Sequence, residues 1–252
     1  MEMNDPTATR SYPQHALGKS LLLHVSPGIL VTGAFLAFKP LLASTGYPPL
    51  LAFLLAILLV DLPVMLGVML YEGKKLNGHY SLQGVVLYRE KVSWKEFGLI
   101  FVGASLVVYI LMMMVTPINT LITDNLFSWL PDWIFLEDES QYDAYTKSAL
   151  VLVFSLQLVI TGILLPWVEE LYFRGYLMPR ISRFDMWTPL LGGFFFALYH
   201  VWQLFGFAAV FLLGTLLGYV VWWKRDIRLS ISLHVFANTL LRIFILLGIL
   251  AM

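Results

Sequence analysis

The chain has 252 residues, 59% of them hydrophobic and 13% charged, with a mean hydropathy of +0.79, a balance outside the range of water-soluble domains that marks a membrane protein. Lys+Arg and Asp+Glu are 16 each, which excludes both the basic excess that recruits nucleic acid and the acidic excess of a solvated, disordered chain. There is no cysteine, so disulfides, thiolate metal cages and cysteine nucleophiles are excluded.

The first eighteen residues are polar, with Pro6 and Pro13, and the apolar run after them lacks a small-residue cleavage site; no cleaved presequence is expected. A helix crosses the hydrocarbon core with about 20 mostly apolar residues. Seven such runs are predicted, at about 20–38, 48–71, 98–116, 148–168, 187–203, 207–223 and 229–251. The connection 72–97 contains VVLYREKVSWKEF, in which apolar residues alternate with charges over a stretch too short to span. It is either an interfacial segment leading into the third helix or a solvated linker. The connection 117–147 carries Asp124, Asp132, Glu137, Asp138, Glu139 and Asp143 and is expected to be the main exterior loop. The fifth and sixth runs are short and separated only by 204–206, so they form a steep hairpin or include a re-entrant piece.

Cytoplasmic loops retain Lys and Arg. Arg10, Lys19, Lys74, Lys75, Arg89, Lys91, Lys95, Arg174, Arg180, Arg183, Lys224, Arg225 and Arg228 fall on one side, against Lys39 and Lys147 on the other. This distribution puts the N-terminus in the cytoplasm and the C-terminus outside. The expected fold is all-α, a polytopic transmembrane bundle of about seven spans. No internal repeat or Gly/Ser/Pro-rich linker divides it, so 1–252 reads as a single membrane domain.

A charge near the middle of a membrane helix costs about 2.5 to 3.5 kcal/mol on insertion scales, so each needs a partner, a wet cavity or a job. Asp61, Glu169, Glu170, Arg174, His200, His234 and Arg242 are such residues, with Asn238 as a polar companion. In PWVEELYFRG, Glu170 and Arg174 are four apart and stack on one helix face as an ion pair, acid before base. Glu169 faces another way with no local cation, which suits it to take a proton from water; the alternative is an ordinary glutamate in head-group water. On the fifth helix Phe196 and His200 share a face. On the seventh, His234, Asn238 and Arg242 follow at four-residue intervals, a pair of donors one turn apart for an oxyanion or else a helix–helix seam. With the fourth helix ending near 168 and the fifth starting near 187, His200 is expected to lie deeper than Glu169 and His234. His15, His24 and His79 have no polar partner at helical spacing and are given no role.

EELYFR at 169–174 matches E-E-x-x-x-R, FALYH at 196–200 matches F-x-x-x-H, and HVFAN at 234–238 matches H-x-x-x-N. Together, in this order, these motifs resemble the CAAX protease and bacteriocin-processing (CPBP, Abi) family of intramembrane glutamic endopeptidases. The similarity covers about 148–251, which would be the catalytic core, with helices 1–3 at about 20–116 as a variable part. The resemblance implies a bundle of seven or eight helices around a polar cavity open toward the cytoplasm and the membrane. There Glu169 would act as base with His200, His234 with Asn238 would stabilise the oxyanion, and Glu170 with Arg174 would order the site. No cofactor or metal is implied. The implied partners are the lipid bilayer and a protein or peptide substrate, membrane-anchored or lipidated, in a bacterial or archaeal cell membrane. The prenyl specificity of eukaryotic members is not carried over.

Two other functions compete with this one. Glu169, His200 and His234 supply a His₂Glu set for zinc, although their spacing is unlike any compact zinc motif. A non-catalytic scaffold or transporter would use the same polar groups across helices, with Asp61 and Arg242 as a candidate interhelical pair.

Overall fold

In a bilayer every backbone N–H and C=O must be bonded within the protein, and long apolar runs achieve this as helices. A computed structural model describes residues 13–252 apart from 132, 133, 135 and 138, and Pro6, Arg10, Asp132 and Asp138 lie outside the described residues. The elements run α1 (Leu17–Leu42), α2 (Leu50–Ala56), α3 (Leu62–Asn77), α4 (Trp94–Leu126), α5 (Lys147–Val159), α6 (Leu165–Glu169), α7 (Thr188–Tyr199), α8 (Phe207–Lys224) and α9 (Ile227–Ala251). Side chains cap three of the starts: Ser93, Thr146 and Asp226 accept the N–H groups of Glu96, Ala149 and Arg228.

Among the described residues six helical runs are long and apolar enough to cross a membrane, and one of them, Lys147–Tyr199, contains the fourth and fifth predicted spans. That run doubles back. The segment Met178–Trp187 is 3₁₀-like, with non-helical backbone at Ile181 and at Asp185, where φ is +46°. Glu169 and His200 would stand about 46 Å apart on a straight helix, yet both line one cavity. The fourth helix therefore continues from α6 to Leu177 rather than ending near 168, and α7 begins at Thr188. Counted from those ends at 1.5 Å per residue, Glu169 lies about 12 Å deep, His234 about 10 Å and His200 about 18 Å. His200 is still the deepest of the three, and continuation of the fourth helix to Leu177 brings Glu169 to within about 6 Å of its depth.

Three π-helical turns interrupt the spans, at Ile57–Asp61, Ile160–Leu164 and Glu170–Leu177. The first two precede Pro63 and Pro166. A proline has no N–H for the carbonyl four residues back and collides with it, and a wider turn relieves that contact. The carbonyl released by Pro166 is that of Gly162, which accepts the Thr239 hydroxyl of α9 at 3.0 Å. In α1 the carbonyl released by Pro27 is that of Leu23, and Tyr172 donates to it at 2.8 Å. Pro166 and Pro27 are thus each coupled to a helix–helix contact.

Close packing places α7 in the middle of the bundle. A Cβ on Gly28 of α1 would stand 1.8 Å from the Tyr199 carbonyl oxygen, and one on Gly193 would stand 2.2 Å from Thr215 Oγ1 of α8. Only glycine permits these approaches. The chain after α7 is irregular over Val201–Gly206, and Trp202, Gln203 and Phe205 of this stretch line the cavity. Non-helical backbone within a span is tolerated where it lines a cavity. The connection 72–97 is not a free linker: Ile227 N–H donates to the Tyr88 carbonyl at 2.8 Å and Glu90 N–H to that of Arg225 at 3.0 Å, docking it on the α8–α9 turn.

Candidate active site

Glu170 is fully buried at the start of a π-helical turn, and the ion pair expected from its spacing is present, with Arg174 Nη1 3.0 Å from Glu170 Oε1. Arg174 also donates from Nη2 to the Gly214 carbonyl at 3.1 Å and lies 4.1 Å from the centre of the Phe196 ring. His234 Nδ1 approaches the same Glu170 oxygen at 2.8 Å, and since a paired carboxylate accepts, Nδ1 carries the proton. The other ring nitrogen, Nε2, points at Glu169 Oε2 at 3.8 Å. His234 therefore stands between the two glutamates, tethered by one and facing the other.

Glu169 is 2% exposed and its Oε1 has no hydrogen-bond partner, so one carboxylate oxygen is left for whatever enters the cavity. His200 caps α7, with its Nδ1 2.8 Å from the Phe196 carbonyl. A carbonyl only accepts, so Nδ1–H donates and Nε2 is the free position of the neutral ring. The F-x-x-x-H spacing is explained by this bond: the phenylalanine contributes its backbone oxygen to the histidine and its ring to Arg174.

Glu169, His200, His234 and Asn238 line one cavity of about 490 Å³, together with Glu137, Gln157, Trp202 and Arg242. From Glu169 the cavity extends toward Ile134, Leu136 and Glu137 of the α4–α5 connection. Toward the 178–187 turn, Phe173, Arg174, Tyr176 and Leu177 are buried. Arg174, counted above among cytoplasmic charges, belongs to the buried site. Among the described residues no group of three or more His, Asp or Glu side chains is arranged to hold a metal ion.

Other polar contacts differ from expectation. Asp61 and Arg242 do not pair: Asp61 Oδ2 accepts the Tyr199 hydroxyl at 2.5 Å, and Arg242 meets Glu137 at 2.5 Å. His24 does have a polar partner at helical spacing, its Nδ1–H donating to the Ser20 carbonyl at 2.7 Å while the ring packs on Phe173 and Phe195. His15 is tied by its backbone N–H to the Arg180 carbonyl at 2.7 Å. Glu137, Gln157 and Tyr199 were not singled out as site residues from the sequence. Glu137 carried only a loop-charge signal, and Tyr199, beside His200, carried none.

Residues 151–240 match the family model of the Rce1-like type II CAAX prenyl endopeptidases. The matched segment contains Glu169, Glu170, Arg174, His200, His234 and Asn238, and it is an Rce1-like CAAX protease domain, the family that the three motifs resemble. Its class is that of intramembrane endopeptidases, and the chain around it is an integral, multi-pass membrane protein. No curated protein and no solved structure matches the chain.

Proposed function

We propose that this protein, which carries an Rce1-like protease domain, hydrolyses a peptide bond within the membrane with water activated by Glu169 and His200. The observation that carries the proposal is the convergence of Glu169, His200, His234 and Asn238 from three helices on one cavity. Glu169 takes the proton of the attacking water on its unpartnered oxygen as the water oxygen bonds to the scissile carbonyl carbon. His200 holds that water through its free Nε2. The oxyanion faces Asn238 and His234; with Nδ1 committed to Glu170, His234 donates through Nε2, as the imidazolium. Glu169 then passes the proton to the leaving amine, and the C–N bond breaks. Glu170 and Arg174 hold His234 in place.

The substrate is a protein or peptide, membrane-anchored or lipidated, presented in a bacterial or archaeal cell membrane. The chain's N-terminus lies in the cytoplasm, which the lopsided placement of Lys and Arg supports. The test compares protein termini in host membranes carrying wild type or Glu169→Gln at matched expression. Loss of the base lowers the rate by about 10² to 10⁴-fold, so new termini are expected with the wild type only. Identical maps would overturn the proposal.

A further inference from the structure

Asp61 is a buried ionisable group that the hydrolysis above does not use. It ends the π-helical turn Ile57–Asp61 and is 0% exposed, as is Tyr199. A carboxyl inside a span is costly to insert, and one that persists there beside a polar partner marks a functional group. The partner is Tyr199, whose hydroxyl stands 2.5 Å from Asp61 Oδ2, while Asp61 Oδ1 is buried with no hydrogen-bond partner. The same hydroxyl is within hydrogen-bonding reach of the Glu169 carboxyl. Tyr199 is held in this place by Gly28 of α1 against its carbonyl and by the rings of Phe173 and Trp202, 4.9 Å and 5.1 Å from its own. A phenol carries one hydrogen, so it donates to one carboxyl at a time. Among the described residues no Lys or Arg forms an ion pair with either carboxyl: Arg174 is paired with Glu170, and His234, tethered to that same glutamate, stands 3.8 Å from Glu169. Two carboxyls that share a buried site hold one proton between them, because two negative charges so close are costly at low dielectric.

We propose that Asp61 and Glu169 share one proton through the Tyr199 hydroxyl, and that Asp61 holds it while Glu169 acts as the base. The proposal rests on the hydrolysis above and adds two positioning residues to it. With the proton on Glu169, that residue donates to the Tyr199 oxygen, Tyr199 donates to Asp61 Oδ2, and no base is available. Two hydrogens then move, one from Glu169 to the Tyr199 oxygen and one from Tyr199 to Asp61 Oδ2. As many O–H bonds form as break, and the negative charge passes from Asp61 to Glu169. In this second arrangement Tyr199 donates to Glu169 and orients it, and the carboxylate is free to take the proton of the attacking water. Neither Asp61 nor Tyr199 lines the cavity, so both act through Glu169.

The test reads the proton directly, by infrared spectroscopy of the full-length protein in detergent, in H₂O and in D₂O. The wild type is expected to show the C=O stretch of a protonated carboxyl above the amide I band, shifted by exchange. Asp61→Asn is expected to remove this band from its wild-type position, and Tyr199→Phe and Glu169→Gln each to displace it. The last two variants keep the shape of the side chain, so the test stands even where Asp61→Asn fails to fold. No such band in the wild type, or a band that Tyr199→Phe and Glu169→Gln leave in place, overturns the proposal. In the terminus mapping, Tyr199→Phe is expected to yield about tenfold fewer of the wild-type termini per folded molecule, the ratio for one lost hydrogen bond to the base. Full cleavage by Tyr199→Phe together with a lowered melting temperature would show a purely structural bond and overturn the proposal. A wild type without new termini overturns the hydrolysis alone, and the infrared band then decides the shared proton by itself.

Discussion

Arg174 makes three contacts of different kinds: an ion pair with Glu170, a hydrogen bond to the Gly214 carbonyl and a stack on Phe196. Only the first was readable, because acid and base four residues apart share a helix face. Removing one partner of a buried pair leaves an uncompensated charge, at a cost of about 3 to 5 kcal/mol. Arg174→Ala is therefore expected to lower the melting temperature in detergent and to abolish cleavage. Arg174→Lys keeps the charge without the planar fork, and is expected to restore part of the stability while activity stays low. An Arg174→Ala protein with wild-type melting and activity would show that the pair contributes to neither. The same local periodicity made His234, Asn238 and Arg242 legible as one face, but it said nothing of Glu137, which is 105 positions away from the arginine it meets.

The prolines act at the level of whole helices. Pro166 interrupts the fourth span three residues before Glu169, and the carbonyl it releases is bonded by Thr239, one residue past Asn238. The two motif-bearing helices are thereby clamped together beside the site. Thr239→Val removes the donor at nearly constant shape and is expected to cost about 1 kcal/mol. Thr239→Ser is expected to restore it, with thermal unfolding in detergent as the measurement. If Val and Ser variants melt alike, the clamp contributes nothing. Helix ends were the least legible feature at this scale. Continuation of the fourth helix through π-helical turns to Leu177 has no hydrophobicity signal, since EELYFRG reads as a polar exit from the bilayer when its charges are in fact buried against one another.

For the whole molecule, the distribution of Lys and Arg and the position of the cavity bear on each other. If the cationic turns face the cytoplasm, Glu169 and His234 lie in the inner half of the bundle, about 12 Å and 10 Å from the helix ends at those turns, and the α4–α5 connection lies outside. The natural absence of cysteine permits a direct measurement. Glu139→Cys and Lys91→Cys both introduce a thiol at an exposed site. A membrane-impermeant maleimide is expected to label the first in intact cells and the second only after permeabilisation. The reverse pattern would put the N-terminus and the cationic turns outside.

The amino-acid sequence by itself determined the solvent, the helical class, the three motifs and the pairs within one helix. These depend on composition and on the 3.6-residue repeat, which act over a single turn. Only the tertiary structure decided which helices meet. It set the doubling back at 178–187, the tethering of His234 to Glu170, the Tyr199–Asp61 bond and the carboxylate of Glu137 on Arg242. Each of these joins residues with no regular spacing between them. Their partners follow from which helix faces can approach closely, at positions such as Gly28 and Gly193, and from which backbone carbonyls the prolines leave to be bonded by a neighbour.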